Sequence, residues 1–481
     1  MDMTFYQNKF KIYPASVNTL GDGACFMVDL GDADMLCITS SDCKHVGRLC
    51  VEQSNVFSLC ELNHETADFL REKFPFTSPT AVLSRETSFG VGDRLGLAGD
   101  GLLRVFQEYE VYPILAQQSM REMSLTHRTM ADVIDSATFA AFRCGYRAGF
   151  GADGDHLKKL EDIREAVKSG YTMITLDCSD YIDNDAAMQE DAVLAKNVSI
   201  PEEITKRYMN REFEIAPEVT LTFSDKELLR IFAVYQKAID YVGTVYYDCL
   251  RGKSKYIDFE ISIDETLTTT SPLAHFYVAN ELKIRAIRFA TIAPRFTGEF
   301  QKGIDYIGDL KQFREDVRLH HAIACYFGYK LSFHSGSDKF AVFPIIAEIT
   351  GGHFHIKTSG TNWLEAVRAI AQTDPKLFRD IYRIAEATFE KNRANYHVTP
   401  NLDTIPNVDE MPDAKLPELL DLVASRQVIH ISYGEVLADP NMKKRIYQSL
   451  RQMRQVYSDA LYHHIGHHAD ALGIANGHCA R

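Results

Sequence analysis

Two stretches in the last third of the 481-residue chain hold an unusual density of groups able to do chemistry. Tyr329-Lys-Leu-Ser-Phe-His-Ser-Gly-Ser-Asp-Lys339 is followed closely by His353-Phe-His-Ile-Lys-Thr-Ser-Gly360. Each reads as a short strand running into a loop of small polar residues. Strand side chains change face at every residue, so Leu331 and Phe333 share one face while Ser332 and His334 share the other. Phe354 and Ile356 likewise oppose His355 and Lys357. Two strands with a polar face of His, Ser and Lys suit the floor of a metal-dependent active site. Hydrogen-bonded core histidines would give the same pattern.

A third imidazole, His156, ends Asp153-Gly-Asp-His156. Neutral imidazole binds Zn, Ni, Mn and Fe, and three strands can bring His156, His334 and His355 to one divalent ion with positions left open. In Asp258-Phe-Glu-Ile-Ser-Ile-Asp264 the apolar residues fall on one face and Asp258, Glu260, Ser262 and Asp264 on the other. Glu260 should therefore point inward, where a carboxylate is costly unless paired or bound, and Asp155 is its candidate acid/base partner. A buried Glu–Lys or Glu–Arg pair fits Glu260 equally well. Two further histidine groups read as incidental: His320-His321 as surface residues, and His463-His-x-x-His-His468 as a peripheral helix with adventitious affinity.

Eight strands can be drawn to carry these groups: Ala81–Thr87, Tyr112–Gln117, Ala148–Asp153, Met173–Asp177, Tyr256–Ile263, Arg288–Ala293, Tyr329–His334 and His353–Thr358. Helical patterns separate many of them, which predicts an α/β chain built on a (β/α)8 barrel. Residues 1–76 read as a small α/β domain, 77–362 as the barrel and 363–481 as a mainly helical extension. A helical insertion is expected at about 181–255. Val428–Tyr433 reads as one more strand and Thr399–Pro412 as an exposed linker.

In such a barrel the active site lies at the C-terminal strand ends. Those ends supply Asp93 and Arg94, Gln117, Asp155 and His156, Arg295, His334 with Ser335 and Lys339, and His355 with Lys357. Gly90-Val-Gly-Asp-Arg-Leu-Gly96 misses the dinucleotide fingerprint, because Leu95 stands where its third glycine belongs. A tight loop placing Asp93 and Arg94 in the pocket is the better reading.

The chain is 46% hydrophobic and 25% charged, enough for a sizeable core. A net charge of −14 with no basic block argues against nucleic-acid or anionic-membrane partners. An anionic small substrate would need a local cluster of Lys and Arg. There is no signal pattern, no long apolar span and no Cys-x-x-Cys pair among the ten cysteines, so a cytoplasmic protein with free thiols is expected.

Taken together, Ser88-Phe-Gly-Val-Gly-Asp-Arg-Leu-Gly96, Ala116-Gln-Gln-Ser119, Gly149-Phe-Gly-Ala-Asp-Gly-Asp-His156 and Asp258-Phe-Glu-Ile-Ser-Ile-Asp-Glu265 resemble the tagaturonate epimerase family. Arg295-Phe, Lys302-Gly-Ile-Asp-Tyr306, His334-Ser-Gly-Ser-Asp-Lys-Phe340, His355-Ile-Lys-Thr358 and Ile429-His-Ile-Ser-Tyr-Gly434 complete the resemblance, which is weak before residue 75. It implies an isomerase that interconverts tagaturonate and fructuronate in hexuronate catabolism with a divalent metal. The family's proton acceptor falls on Asp155 and its donor on Glu260, and its metal histidines on His156 and His334, with His355 the third. Gly154 departs from the pattern, where a small residue such as Ala precedes the Asp-His pair. Asp93, Arg94, Gln117, Arg295, Ser335, Lys339 and Lys357 are the candidate substrate contacts, the cations among them for a keto-hexuronate carboxylate. A class II aldolase or a sugar isomerase on the same scaffold is the alternative. A homo-oligomer stays open.

Overall fold

The computed structural model describes residues 3–39, 50–54, 56–253, 255–358, 360–394 and 396–477. Cys43 and Cys479 lie outside these residues, and Cys25, Cys37, Cys144, Cys178, Cys249 and Cys325 are free thiols.

Eight parallel strands close into one barrel. They are β1 (Thr87–Val91), β2 (Tyr112–Ser119), β3 (Gly151–Leu157), β4 (Met173–Asp177), β5 (Asp258–Ile263), β6 (Thr291–Pro294), β7 (Lys330–Phe333) and β8 (Phe354–Thr358). Each pairs with its successor, and β8 returns to β1 with His355 beside Ser88 and Lys357 beside Gly90. The (β/α)8 fold class expected from the sequence is therefore what the chain adopts. Helices follow the strands in alternation, and their ends carry local stop signals. Asp309 caps the first turn of Leu310–Phe327, which Gly328 ends in the left-handed region at φ 74°.

The expected first strand lay six residues early, for a physical reason. Val82 and Leu83 are apolar and buried, but they pack with Ile114 and Met173 across the N-terminal mouth of the barrel. Leu83 N–H donates to Asp258 at 2.8 Å there. The run is a plug, which alternation alone cannot distinguish from a strand.

Before the barrel, short antiparallel strands between Lys11 and Glu61 form a sheet covered by the helix His64–Lys73. Phe74 and Phe76 pack on Phe142 of the barrel helix Met130–Cys144. Between β4 and β5 lie three short helices, a hairpin (Glu212–Ala216 with Val219–Thr222) and the long helix Asp225–Val245. The hairpin was not expected, since its turn uses Pro217 and Glu218, the latter at φ 66°, rather than a glycine.

Two further expectations are corrected. Val428–Tyr433 is helical, within Val423–Ile431 and the start of Tyr433–Ala438. His430 and Ser432 are as buried as Val428 and Ile429, so this alternation marks a helix enclosed on all sides rather than a two-faced strand. His320 is not at the surface either. It is fully buried, with His275 Nδ1 at 2.8 Å and the Thr270 carbonyl at 3.1 Å.

Gly90 is fixed by close approach. A Cβ there would lie 1.9 Å from Gln117 Oε1, while Gln117 Nε2 donates to the Thr358 carbonyl at 3.1 Å. Gly90→Ala should expel Gln117 from this position and cost about 1–3 kcal/mol by overpacking. Adding Gln117→Ala should recover part of the loss, which urea titration of the single and double variants would show.

Candidate active site

At the C-terminal end of the barrel the strand ends surround a cavity of about 800 Å³. Its floor is organised by Lys357 of β8. The Nζ atom lies 2.6 Å from Asp153 Oδ2, 2.6 Å from Asp155 Oδ1 and 3.3 Å from Glu260 Oε1, and donates to Thr175 Oγ1 at 2.7 Å. These five side chains point inward from β3, β4, β5 and β8. The inward parity expected for Glu260 is seen, with the carboxylate fully buried beneath the cavity and absent from its wall.

Regular alternation would put Asp155 and His156 on opposite faces of β3. Instead the register against β4 shifts between Gly154 and Leu157, and His156 takes φ 53°. Such a bulge bends the strand and re-aims a side chain. Both residues consequently reach the cavity, with His156 Nδ1 2.8 Å from Asp155 Oδ1. Gly154, on the outer side of the bulge, has little room for a Cβ, which would lie 2.8 Å from Leu157 Cδ1.

His334 follows β7 directly. Its Nε2 is 2.8 Å from Glu260 Oε1, and its Nδ1 is 3.2 Å from Asp264 Oδ2 without the alignment of a hydrogen bond. His156, Asp264 and His334 each offer a ligand atom within 4.8 Å of the other two. Buried nitrogens without partners are rare in folded proteins, so the orphaned Nδ1 beside a carboxylate and a second imidazole fits a cation. The outer atoms fit as well. Each histidine turns its other nitrogen to a carboxylate, Asp155 for His156 and Glu260 for His334, as metal-bound imidazoles do.

Burial pushes all these groups toward neutrality, and their mutual fields overrule it in most cases. Burial would raise the Asp155 carboxyl, but Lys357 and His156 hold it well below the usual carboxylate range. Glu260 is also held low against burial, by Lys357 and His334. Asp153 goes the other way, up to about 6, because burial and repulsion from Asp155 and Glu260 exceed the pull of Lys357. Despite burial, Asp264 and Glu260 raise His334 to about 10. The carboxylates thus outnumber the cations, and the site draws in protons or another cation.

The other predicted residues divide clearly. His355 is buried, its Nδ1 3.0 Å from Ser88 Oγ, and burial pushes it down to about 3. It stands outside the His156–Asp264–His334 group. Gln117, Arg295 and Ser335 face the cavity. So does Arg94, but its guanidinium is bonded to Glu122 at 2.8 Å and stacked 3.7 Å over Tyr433. Asp93 turns away to accept from the Gly96 and Ala98 amides, both at 2.8 Å. Lys339 is buried with its ammonium on the carbonyls of Gln301, Ile304 and Ser337, so it holds loops together and does not line the cavity.

Sequence reasoning missed Asp264 as a ligand candidate, although its spacing of four from Glu260 on one strand placed it on the same face. It also missed Asp153, which shares the parity of Asp155. The C-terminal helix Arg454–Ala471 is not peripheral. His468 Nε2 accepts the Asp338 N–H at 2.9 Å, and the Asp338 carboxylate lies 2.6 Å from Arg426 and 3.6 Å from His464. Asp338, His464 and His468 could hold an ion by distance alone. The His468 lone pair is already committed, and Arg426 neutralises Asp338. This cluster therefore anchors the loop that begins at His334.

A closed (β/α)8 barrel with clustered carboxylates and a His–Asp–His group at its C-terminal mouth has the architecture of a barrel enzyme. Comparison with known proteins narrows this. The family model described as tagaturonate epimerase matches residues 13–472, so the chain belongs to the tagaturonate epimerase family and is an isomerase-class enzyme. The tagaturonate/fructuronate epimerase of Thermotoga maritima is 42% identical over 419 residues, 86% of each chain. Crystal structures of the fructuronate-tagaturonate epimerase of Cohnella laeviribosi, native and with one glycerol, are 41% identical over 98% of both chains with a TM-score of 0.94.

The charge balance on Lys357 yields a test. Lys357→Met leaves three buried carboxylates facing one another and should cost about 3–5 kcal/mol. Glu260→Gln leaves Lys357 paired to Asp153 and Asp155, so its melt should stay within a few degrees of the parent. Thermal melts of the two variants side by side check the contrast.

Proposed function

We propose that this enzyme interconverts D-tagaturonate and D-fructuronate at a divalent metal held by His156, Asp264 and His334. The observation that carries the reading is the His156–Asp264–His334 group set against the Asp155–Lys357 pair in the cavity of a tagaturonate epimerase family member. Two imidazoles and one carboxylate suit Zn, Ni, Mn or Fe. A cation bound there supplies Lewis acidity to a ketone and its neighbouring hydroxyl. His355, which the family resemblance implied as third ligand, instead orients the floor through Ser88 in this reading.

The inverting carbon lies beta to the substrate ketone, so that carbonyl does not acidify its C–H bond. Removing the proton of its hydroxyl is the easier step, and it opens a retro-aldol route. Asp155, ionised and on the cavity wall, accepts that proton. Bond cleavage frees an aldehyde that can rotate, and recombination from its other face inverts the carbon. Glu260 is ionised and does not reach the cavity, so it serves the donor step only through Lys357, which lies within 3.3 Å of both carboxylates. The ammonium gives a proton to the new alkoxide and regains the one that Asp155 took. In the competing route, a proton shuttle between the two faces, the C–H bond itself breaks.

Turnover of tagaturonate followed by NMR in D2O separates the routes. Retro-aldol inversion keeps the original hydrogen on the inverted carbon, whereas a shuttle exchanges it for deuterium. Accumulated three-carbon products would favour an aldolase instead. Glu260→Gln should reduce turnover by about 10²–10⁴-fold.

The metal is tested separately. His334→Ala should lower bound metal and activity together, by at least about 10- to 100-fold, while the exposed His463→Ala should change neither. Retention of stoichiometric metal with normal turnover in His334→Ala would refute the assigned site.

A further inference from the structure

The cations that face the cavity differ in what already neutralises them. Arg94 is bound to Glu122, Lys158 lies 2.7 Å from Asp180, and Lys357 is shared by three carboxylates. Lys159 is exposed at the rim. Arg295 and Lys302 are half-buried, and among the described residues neither has a carboxylate within 4 Å. Both lie on the loop after β6. Glu265 and Glu299 of the same cavity act on Lys302 and Arg295 only from beyond that distance. In a chain of net charge −14, two half-buried cations on one wall with no direct ion pair suit an anionic ligand.

Lys302 is also the better positioned of the two. Its Nζ donates to Ser335 Oγ at 2.8 Å, and Ser335 follows the ligand candidate His334 directly. The backbone around it is pinned, because Lys339 Nζ donates to the carbonyls of Gln301 and Ile304. The Gln301 side chain is itself held by Thr399 and Gln427, each at 3.0 Å. The buried Lys339, unsuited to touch substrate, thus fixes the lysine that can.

We propose that Lys302, assisted by Arg295, receives the substrate's carboxylate and so selects acidic ketoses over neutral ones. This rests on the epimerase reading above, and it assigns the end of the substrate remote from the metal.

The test uses the purified full-length chain with Lys302→Met, which keeps the length of the side chain without its charge, and Lys302→Arg, which keeps the charge. Relative kcat/KM is measured on tagaturonate and on its neutral ketohexose counterpart, with a hydroxymethyl group in place of the carboxylate. Calorimetric binding of gluconate and sorbitol gives a readout independent of turnover. Loss of one charge-assisted hydrogen bond corresponds to about 10- to 100-fold. Lys302→Met should lose that factor on tagaturonate, mainly in KM, and on gluconate, with the neutral partners unaffected and Lys302→Arg largely restored. An equal loss on acid and neutral compounds, or none on either, overturns the proposal, as does a parent enzyme with no preference for gluconate over sorbitol. A parent that prefers gluconate yet leaves tagaturonate unchanged would sink the epimerase reading while leaving the carboxylate site standing.

Discussion

The site depends on one ammonium group. Lys357 sits among Asp153, Asp155 and Glu260 at the centre of a barrel that excludes bulk water. Three buried carboxylates at such separations could not all stay ionised without it. One lysine does not balance three acids, and Asp264 adds a fourth. The remaining negative charge raises His334 against burial, and burial joined by that same charge pushes Asp153 up to about 6. A divalent cation on His156, Asp264 and His334 would complete the same balance, so acid/base groups and candidate ligands belong to one electrostatic system.

That coupling bears on how the two carboxylates can be told apart. Asp155 and Glu260 both contact Lys357, and both also contact a histidine of the candidate metal group. They differ in depth, since Asp155 forms part of the cavity wall while Glu260 lies wholly beneath it. A group on the wall can exchange protons with a ligand directly. A group below can do so only through its neighbours, here the lysine or His334.

Much of this was legible in the chain. Alternation in Asp258–Asp264 sent Glu260 inward, and the polar faces of the last two strands marked the floor. What escaped sequence reading has definite causes. Period-two alternation would separate Asp155 from His156, and only the bulge with His156 at φ 53° brings them together. The Val82–Leu83 plug, the enclosed helix at Val428 and the buried His320 all have patterns that depend on tertiary surroundings. Nor can a sequence say which cations are already neutralised. Arg94, Lys339 and Lys357 were as eligible as Arg295 until their partners were seen.

The C-terminal helices complete the site although none of them belongs to the barrel. His468 and Arg426 grip Asp338, so the turn after His334 is held from outside through both its amide and its carboxylate. Ser335 and Asp338 in that turn take φ values of 50° and 58°, a region that ordinary residues enter only when their surroundings compel it. Two strands further round the barrel, after β1, Arg94 is clamped between Glu122 and Tyr433, and it donates to the His430 carbonyl at 3.2 Å. Charged residues at the barrel mouth that resemble substrate contacts in the sequence therefore fasten the extension to the barrel. The extension in turn fixes the loops that carry His334 and Lys302. A barrel truncated after β8 would keep Lys357 and its three acids, but it would lose the restraints that hold His334 and Lys302 over them.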